Sequence, residues 1–320
     1  MANIYLRTPF FVTITTASHL SAQMALTIDG TLRYTILKNA TSNRTVFEIS
    51  SLAKDYYNPD FGGNTGSNYD TVAISYVITT FTGLDGTGTN QGPQAAVTHT
   101  GFYGYSYFSQ GTAGNDIDSD DEELTNTGET RVLYLPDNTA SFAWDMKSGS
   151  PNKTTISSSA TSVTAASGNY TWTINRICSS KYTPVQMRFI NRKGAPQDFY
   201  FFLKNVENMT TKSETFKRNI FNQSSSNYDV EDHQTTVFNK SGRKRYTLNT
   251  DYLIEAYNEV IEDILLSEYV WIKYNTTDGN KVRPVIVNTS SLLKKTSVND
   301  KLIQYTLEVE EANDIINNIV

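Results

Sequence analysis

The chain has 320 residues, of which 38% are hydrophobic and 19% are charged, and its formal net charge is −6. A chain of this length can form two or three domains and bury a sizeable core. The acidic balance argues against general or sequence-specific nucleic-acid binding, because a binder of that kind needs a basic surface to neutralise phosphates.

The sequence also bears on redox state and on membranes. A single cysteine, Cys178, excludes a disulfide within the chain, and we interpret it as a small buried side chain. No basic segment followed by an apolar core opens the sequence, so we expect no signal peptide and synthesis in a cytoplasm. No apolar run of about 18 residues occurs, so we expect no membrane span.

Short apolar runs between polar turns predict strands in the first part of the chain. They are Phe10–Thr15, Met24–Asp29, Leu32–Leu37, Val46–Ile49 and Thr71–Phe81. Asp29-Gly30 between two of these runs predicts a hairpin with a primed turn, and residues 50–57 predict one helical turn. Regular short strands of this kind favour an immunoglobulin-like β-sandwich over residues 1–140.

An aromatic cluster ends this region. It contains Phe102, Tyr103, Tyr105, Tyr107 and Phe108. We interpret it as sandwich core whose tyrosine hydroxyls reach the edge. The alternative is a platform on which sugars or bases stack.

The acidic run over residues 116–123 begins like a calcium-binding loop, with Asp116, Asp118 and Asp120 at alternate positions. The match then fails, because Asp121 occupies the position where the tight turn needs glycine. We therefore interpret the run as a solvated acidic loop. The three histidines are far apart in sequence, and neither they nor the cysteine have the spacing of a zinc site.

No pattern typical of an enzyme occurs in the sequence. It contains no GxSxG nucleophile elbow and no GxxxxGK[ST] phosphate loop, and no carboxylate spacing marks an acid/base pair. We therefore expect no catalytic residue, no cofactor and no metal.

Residues 141–169 are rich in serine and threonine and predict a linker or a weak edge, and residues 170–320 predict a second β-sandwich that carries a helix. The helix is expected over residues 250–267, capped by Asn249 or Thr250. Its apolar stripe consists of Leu253, Tyr257, Ile261, Ile264 and Leu265. Strands are expected after it at 269–274, 282–288 and 302–310, so the fold class is mostly β with one principal amphipathic helix packed on C-terminal strands.

Two charged groups near the helix predict a candidate assembly interface. The first is a basic turn that contains Lys240, Arg243, Lys244 and Arg245, and the second is an acidic helix face that contains Glu255, Glu259 and Glu262. Different patches on one chain can join head to tail, and such contacts build rings of identical subunits. The alternatives for the basic group are contact with DNA and a solvated turn.

Several segments in order resemble virion structural proteins of tailed bacteriophages, notably those that infect Bacteroidota hosts. They are YLRTPFFVTIT (5–15), TIDGTLRYTI (27–36), VFEISSLAKDY (46–56), residues 174–202, residues 248–272 and residues 297–318. The C-terminal helix and strands are similar to tail-tube and distal-tail proteins, which form rings that are often hexameric. The resemblance implies a structural, non-enzymatic tail, baseplate or neck subunit, located in the virion, that binds itself and other phage virion proteins.

Three alternatives predict other structures. A capsid shell or decoration protein predicts two jelly-roll barrels. A receptor- or glycan-binding virion module predicts exposed aromatic side chains at Tyr103, Tyr105 or Trp172. An enzyme acting on polysaccharide predicts a cleft lined by carboxylates.

Overall fold

The computed structural model describes residues 2–15, 18–59, 61, 70–115, 132–137, 141–147, 150–155, 159–164, 171–177, 181–255, 257–276, 279–295 and 303–316. The protein is mostly β, with 53% strand and 9% helix, and has several antiparallel or mixed sheets and one principal helix. In the described part of the chain no sheet closes into a barrel.

The described residues of the first half of the chain form eight strands and a short α-helix. In chain order they are β1 (Ala2–Tyr5), β2 (Phe11–Thr15), β3 (Ser21–Ile28), β4 (Thr31–Asn39), β5 (Arg44–Glu48), α1 (Ser50–Lys54), β6 (Val72–Phe81), β7 (Asn90–Pro93) and β8 (Val97–Phe102). Six of the strands form one sheet in the order β1-β8-β6-β3-β4, with β7 also paired to β6. Strands β2 and β5 form a separate antiparallel pair.

The predicted hairpin between β3 and β4 is confirmed. Asp29 and Gly30 have φ values of 49° and 75°, the left-handed conformation at both central residues that a type I′ turn requires. This turn matches the right-handed twist of the flanking strands, so it fixes their register locally.

Side chains alternate on the first sheet, and one face is buried. Met24, Leu26 and Ile74 of this sheet share a core with Val12 of β2 and Phe47 of β5. The sheet and the β2–β5 pair therefore pack against each other as a sandwich-like unit.

The second half of the chain is built around a larger sheet. In chain order its elements are β9 (Val132–Pro136), β10 (Ser141–Lys147), β11 (Ser150–Thr155), β12 (Ser162–Thr164), β13 (Thr171–Ile177), β14 (Val185–Ile190), β15 (Pro196–Phe201), β16 (Val206–Lys217), β17 (Phe221–Asn222), β18 (Asn227–Tyr228), β19 (Thr235–Asn249), α2 (Tyr257–Leu266), β20 (Val270–Thr276), β21 (Gly279–Val287) and β22 (Thr306–Glu311). Seven of the strands form a sheet in the order β15-β14-β20-β21-β22-β19-β16, and β12, β13 and β9 form a smaller one.

The second core lies between these two sheets and α2. It includes Leu133 of β9, Ile174 of β13, Phe189 of β14 and Ile261 of α2. Strands from before residue 140 and after residue 170 thus contribute to the same core. Within residues 141–169, β10 and β11 form a hairpin and β12 is the edge strand of the three-stranded sheet.

Helix α2 begins later than the sequence predicts, because the residues before it pair with a C-terminal segment. The Thr250 N–H donates to the Tyr305 carbonyl at 3.0 Å, and the Leu253 N–H donates to the Ile303 carbonyl at 2.9 Å. The predicted cap at Asn249 or Thr250 is therefore wrong, and Asn249 is the last residue of β19. The apolar stripe is confirmed as the packing face of the helix from Tyr257 onward: Tyr257, Ile261 and Ile264 are buried, and Leu265 is half-buried against the core. Leu253 is buried too, but it precedes the helix and pairs with Ile303.

A buried ion pair lies where the two halves of the chain meet. The Arg188 guanidinium of β14 donates to both Asp198 carboxylate oxygens of β15 at 2.7 Å, and also to the Phe61 carbonyl at 2.9 Å. Ile190 and Trp271 of the large sheet belong to the core of the first half. The halves are therefore joined by buried side chains as well as by the connecting chain.

Candidate assembly surface

The two longest strands that the structure describes form a hairpin at one edge of the large sheet. Strand β16 pairs antiparallel with β19 from Val206↔Thr247 to Lys217↔Thr235. The register shifts between Lys212 and Glu214, where Asn239 of β19 has a φ of 48°. Alternating polar and apolar residues in both segments favour strands, and the shift is the one-residue irregularity of a β-bulge.

The outer part of this hairpin, residues 211–240, pairs with no strand outside itself in the described chain; we call it the arm. Every residue of the arm is exposed except Ile220 and Thr236, which are half-buried. Strand β22 pairs with β19 only over Arg245–Asn249, so the arm continues as two strands alone. An isolated two-stranded hairpin is at best marginally stable in water.

The arm nevertheless exposes large apolar side chains. Phe216 and Phe238 keep 48% and 46% of their surface exposed, and their rings meet edge to face at 5.6 Å. Val237 on the other face is exposed, and Val230 at the tip is 86% exposed. Clusters of exposed apolar side chains on a soluble domain mark interaction surfaces.

The tip of the arm has its own polar structure. Strands β17 and β18 pair there, and Arg218 donates to the Asp232 carboxylate and to the His233 carbonyl, each at 2.9 Å. Strands β17 and β18 thus form a second, smaller hairpin at the tip of the arm. These local bonds hold the tip together without burying its apolar side chains.

The predicted basic turn is wrong, because Lys240–Arg245 lies within strand β19. A Ser-Gly pair between basic residues is typical of a turn, but pairing of Ser241 and Gly242 with β16 keeps the backbone extended. Tertiary pairing overrides local turn preference here.

The basic side chains have counter-charges within the chain. Arg243 pairs with Asp314 at 2.5 Å and with Glu310 at 3.5 Å, and Arg245 pairs with Glu310 at 2.6 Å. The hydrogen bond from Arg245 holds the pKa of Glu310 below its usual value. Lys244 pairs with Glu207. Lys240 is exposed at the base of the arm, where the arm joins the rest of β19.

The acidic helix residues lie in different environments. Glu262 pairs with Lys294 at 2.5 Å, and this hydrogen bond raises the pKa of the lysine. Although the Glu259 residue is exposed, surrounding protein atoms partly desolvate its carboxyl, and this desolvation raises the pKa of the carboxyl above its usual value. Glu255 is half-buried just before α2. The predicted contact between this group and the basic residues of a neighbouring copy stays a prediction.

The aromatic cluster fastens the first half of the chain to the end of α2. Tyr103 is buried and donates its hydroxyl to Glu268 at 2.5 Å, and Tyr105 donates to Asp263 at 3.1 Å. Burial, followed by the adjacent carboxylates, raises the pKa of both tyrosines. Arg7 also pairs with Glu268 at 3.1 Å. Tyr103 and Tyr105 therefore serve contacts inside the chain rather than an open stacking platform, while Trp172 lies outside the residues whose side chains are described.

Two glycines, Gly104 and Gly194, allow the backbone that follows β8 to approach the turn between β14 and β15 closely. The Tyr105 N–H donates to the Arg192 carbonyl at 2.8 Å, in the turn between β14 and β15. A Cβ atom on Gly194 would lie 2.6 Å from the Gly104 nitrogen, and one on Gly104 would lie 2.5 Å from the Arg192 carbonyl oxygen. Only glycine fits at these two positions.

The described residues contain no group of three His, Cys, Asp or Glu side chains that could hold a metal ion. His19 and His99 are buried in the first half, and His233 is at the tip of the arm. The acidic run 116–123 and Cys178 lie outside the described residues. No helix in the described part of the chain is long and apolar enough to cross a membrane.

No protein-family model matches the chain, and searches of curated proteins and of solved structures found no significant match.

Proposed function

We propose that this protein is a structural subunit of a tailed-phage virion, a ring-forming component of the tail, baseplate or neck that acts by self-assembly and by docking onto other virion proteins. The observation that carries the proposal is the arm. A two-stranded extension that exposes Phe216, Phe238 and Val230 is marginally stable alone. Another protein chain that covers these side chains would stabilise it. Because the sequence resembles virion proteins, we infer that the partner is another copy of this chain or another virion protein.

Two further features support a structural role. The halves of the chain are joined by the buried Arg188–Asp198 pair and by the tyrosine contacts to Asp263 and Glu268. Rigid joints of this kind suit a building block, whose docking surfaces must keep a fixed spacing. In the described residues, the sheets form no barrel of the type that a double jelly-roll capsid protein would have.

The proposal is tested on purified particles of the phage whose genome encodes this chain. We expect mass spectrometry to find the protein in particles banded on a density gradient, at a fixed stoichiometry. We also expect gold-labelled antibodies to decorate the tail or neck in electron micrographs. Absence of the chain from intact particles would contradict the proposal, as would turnover of a cell-wall or capsule polysaccharide by the pure protein.

A further inference from the structure

Strand β16 is an edge strand with one open side. In the part of the chain that the structure describes, β16 ends the seven-stranded sheet and pairs with β19 alone. Eleven of its twelve residues are exposed, and Thr210 is half-buried. Short length and proline often protect edge strands from pairing with another chain, but β16 is long and contains no proline. Its outer edge therefore offers backbone N–H and C=O groups to a further strand.

The backbone groups of alternate β16 residues face this outer edge. The Arg218 N–H continues the ladder and donates to the Gln234 carbonyl at 2.8 Å, so the even-numbered residues of β16 face β19. The extra residue at the irregularity lies on β19, between Phe238 and Ser241, so β16 keeps its alternation. The outward row consists of Glu207, Met209, Thr211, Ser213, Thr215 and Lys217.

The middle of β16 is complementary to itself in the antiparallel direction. If Ser213 of one copy lies opposite Ser213 of a second copy, Lys212 faces Glu214 and Thr211 faces Thr215. Opposite charges and threonine pairs stabilise antiparallel strands when they lie directly opposite each other. Moving the axis by one residue in either direction places Lys212 opposite Lys212 or Glu214 opposite Glu214, which is unfavourable. The two charges therefore favour one register.

The charges of this segment are available for such a contact. Lys212 and Glu214 are both exposed. The ion pairs of the arm and of its base use other side chains, namely Arg218–Asp232, Arg243–Asp314, Lys244–Glu207 and Arg245–Glu310. Pairing with a second copy gives both Lys212 and Glu214 an opposite charge, so the edge is covered without leaving either charge unpaired.

We propose that β16 of one copy pairs antiparallel with β16 of a second copy about a two-fold axis at Ser213. The inference rests on the self-assembly in the proposed function and names the partner of the arm. Two marginal hairpins then become one four-stranded sheet, and Thr210 of one copy lies beside Phe216 of the other. The same patch is used on both copies, so the contact is isologous and joins two subunits. A different contact closes the ring, and paired arms connect one ring to another.

Reversal of charge tests the register. In Lys212→Glu, and equally in Glu214→Lys, both facing pairs become pairs of like charge. The double variant with both changes restores two pairs of opposite charge, and so does an equal mixture of the two single variants. Lys181→Glu, at an exposed lysine before β14, is the matched control. Circular dichroism and thermal unfolding establish that each full-length variant is folded, and sedimentation velocity measures its association.

We expect wild type, the double variant and the control to associate equally. Each single variant alone should associate at least about tenfold more weakly, and the mixture should recover the wild-type affinity as a heterodimer. Unchanged association of the single variants, or no recovery in the mixture, overturns the contact and leaves the proposed function standing. A wild type that is monomeric at every concentration overturns the proposed self-assembly as well, so the two failures are distinguishable.

A cysteine experiment tests the axis without changing any charge. In a Cys178→Ser background, Ser213→Cys places the two thiols of a dimer directly opposite each other. The thiols of Thr211→Cys lie four residues apart along the paired strands, about 13 Å at about 3.3 Å per residue. We expect a short bifunctional maleimide to join copies of Ser213→Cys, and Thr211→Cys with Thr215→Cys, but not Thr211→Cys with itself. Equal yields from the three reactions would contradict the contact.

Discussion

Single residues hold the two halves of the chain together, and glycine is the clearest case. Gly194 and Gly92 both have a φ of 82°, but only Gly194 has backbone atoms within 4 Å of the place where a Cβ would stand. Both positions strain an L-residue in the same way, so the pair separates backbone strain from crowding.

We expect Gly194→Ala to lower the free energy of unfolding by about 1–3 kcal/mol more than Gly92→Ala, since only the first forces backbones apart. Chemical denaturation of the two variants measures the difference. Equal losses would mean that the contact between the turn and Gly104 is not tight.

The buried ion pair gives a second prediction at this scale. Asp198→Asn leaves the buried Arg188 guanidinium without its counter-charge, and we expect a loss of about 3–5 kcal/mol. Asp232→Asn removes the exposed pair with Arg218 and should cost about 0–1 kcal/mol. Urea unfolding compares them, and a small loss for Asp198→Asn would show that water reaches the pair.

The contacts of Glu268 predict a pH dependence. Burial opposes ionisation, but the hydrogen bond from Tyr103 and the charges of Arg7 and Lys54 prevail and lower the pKa of this carboxyl. A depressed pKa in the folded state adds stability above the unfolded value near 4.5, and this stability is lost as the pH falls through the folded value.

Glu268→Gln should therefore reduce stability at neutral pH and flatten its decline below about pH 4.5. Tyr103→Phe, which removes the hydroxyl donor, should change the curve in the same direction. Thermal unfolding followed from pH 7 to pH 3 tests this. A Glu268→Gln curve parallel to wild type would contradict the assignment.

At the scale of elements, the arm contributes no side chain to either large core, and a hairpin without a core is marginally stable in water. We expect trypsin to cut the unassembled subunit first at Lys212, Lys217, Arg218 or Lys240, and to cut these sites far more slowly in the assembled form. Mass spectrometry of early fragments locates the cuts. First cleavage elsewhere, or equal rates in both forms, would contradict a covered arm.

The elements also show what sequence reasoning can reach. The Asp29-Gly30 turn was predictable because two adjacent residues determine it. The start of α2 and the extended backbone at Ser241 were not, because pairing with distant strands decides both. The alternation of buried and exposed residues along β3 is visible in the sequence, but only the register shows that β6 lies beside it.

At the scale of the whole molecule, the Arg188–Asp198 pair and the tyrosine contacts to Asp263 and Glu268 join the half that carries the arm to the other half. The proposed self-assembly requires no reaction centre. Arg243, Lys244 and Arg245, three of the predicted assembly residues, form ion pairs with acidic side chains of the same chain at the base of the arm.

Sedimentation velocity of the purified wild-type chain over a wide concentration range tests the central claim most directly. Self-assembly predicts one dominant species whose mass is a fixed multiple of 35.8 kDa. A single species of 35.8 kDa at every concentration would contradict it.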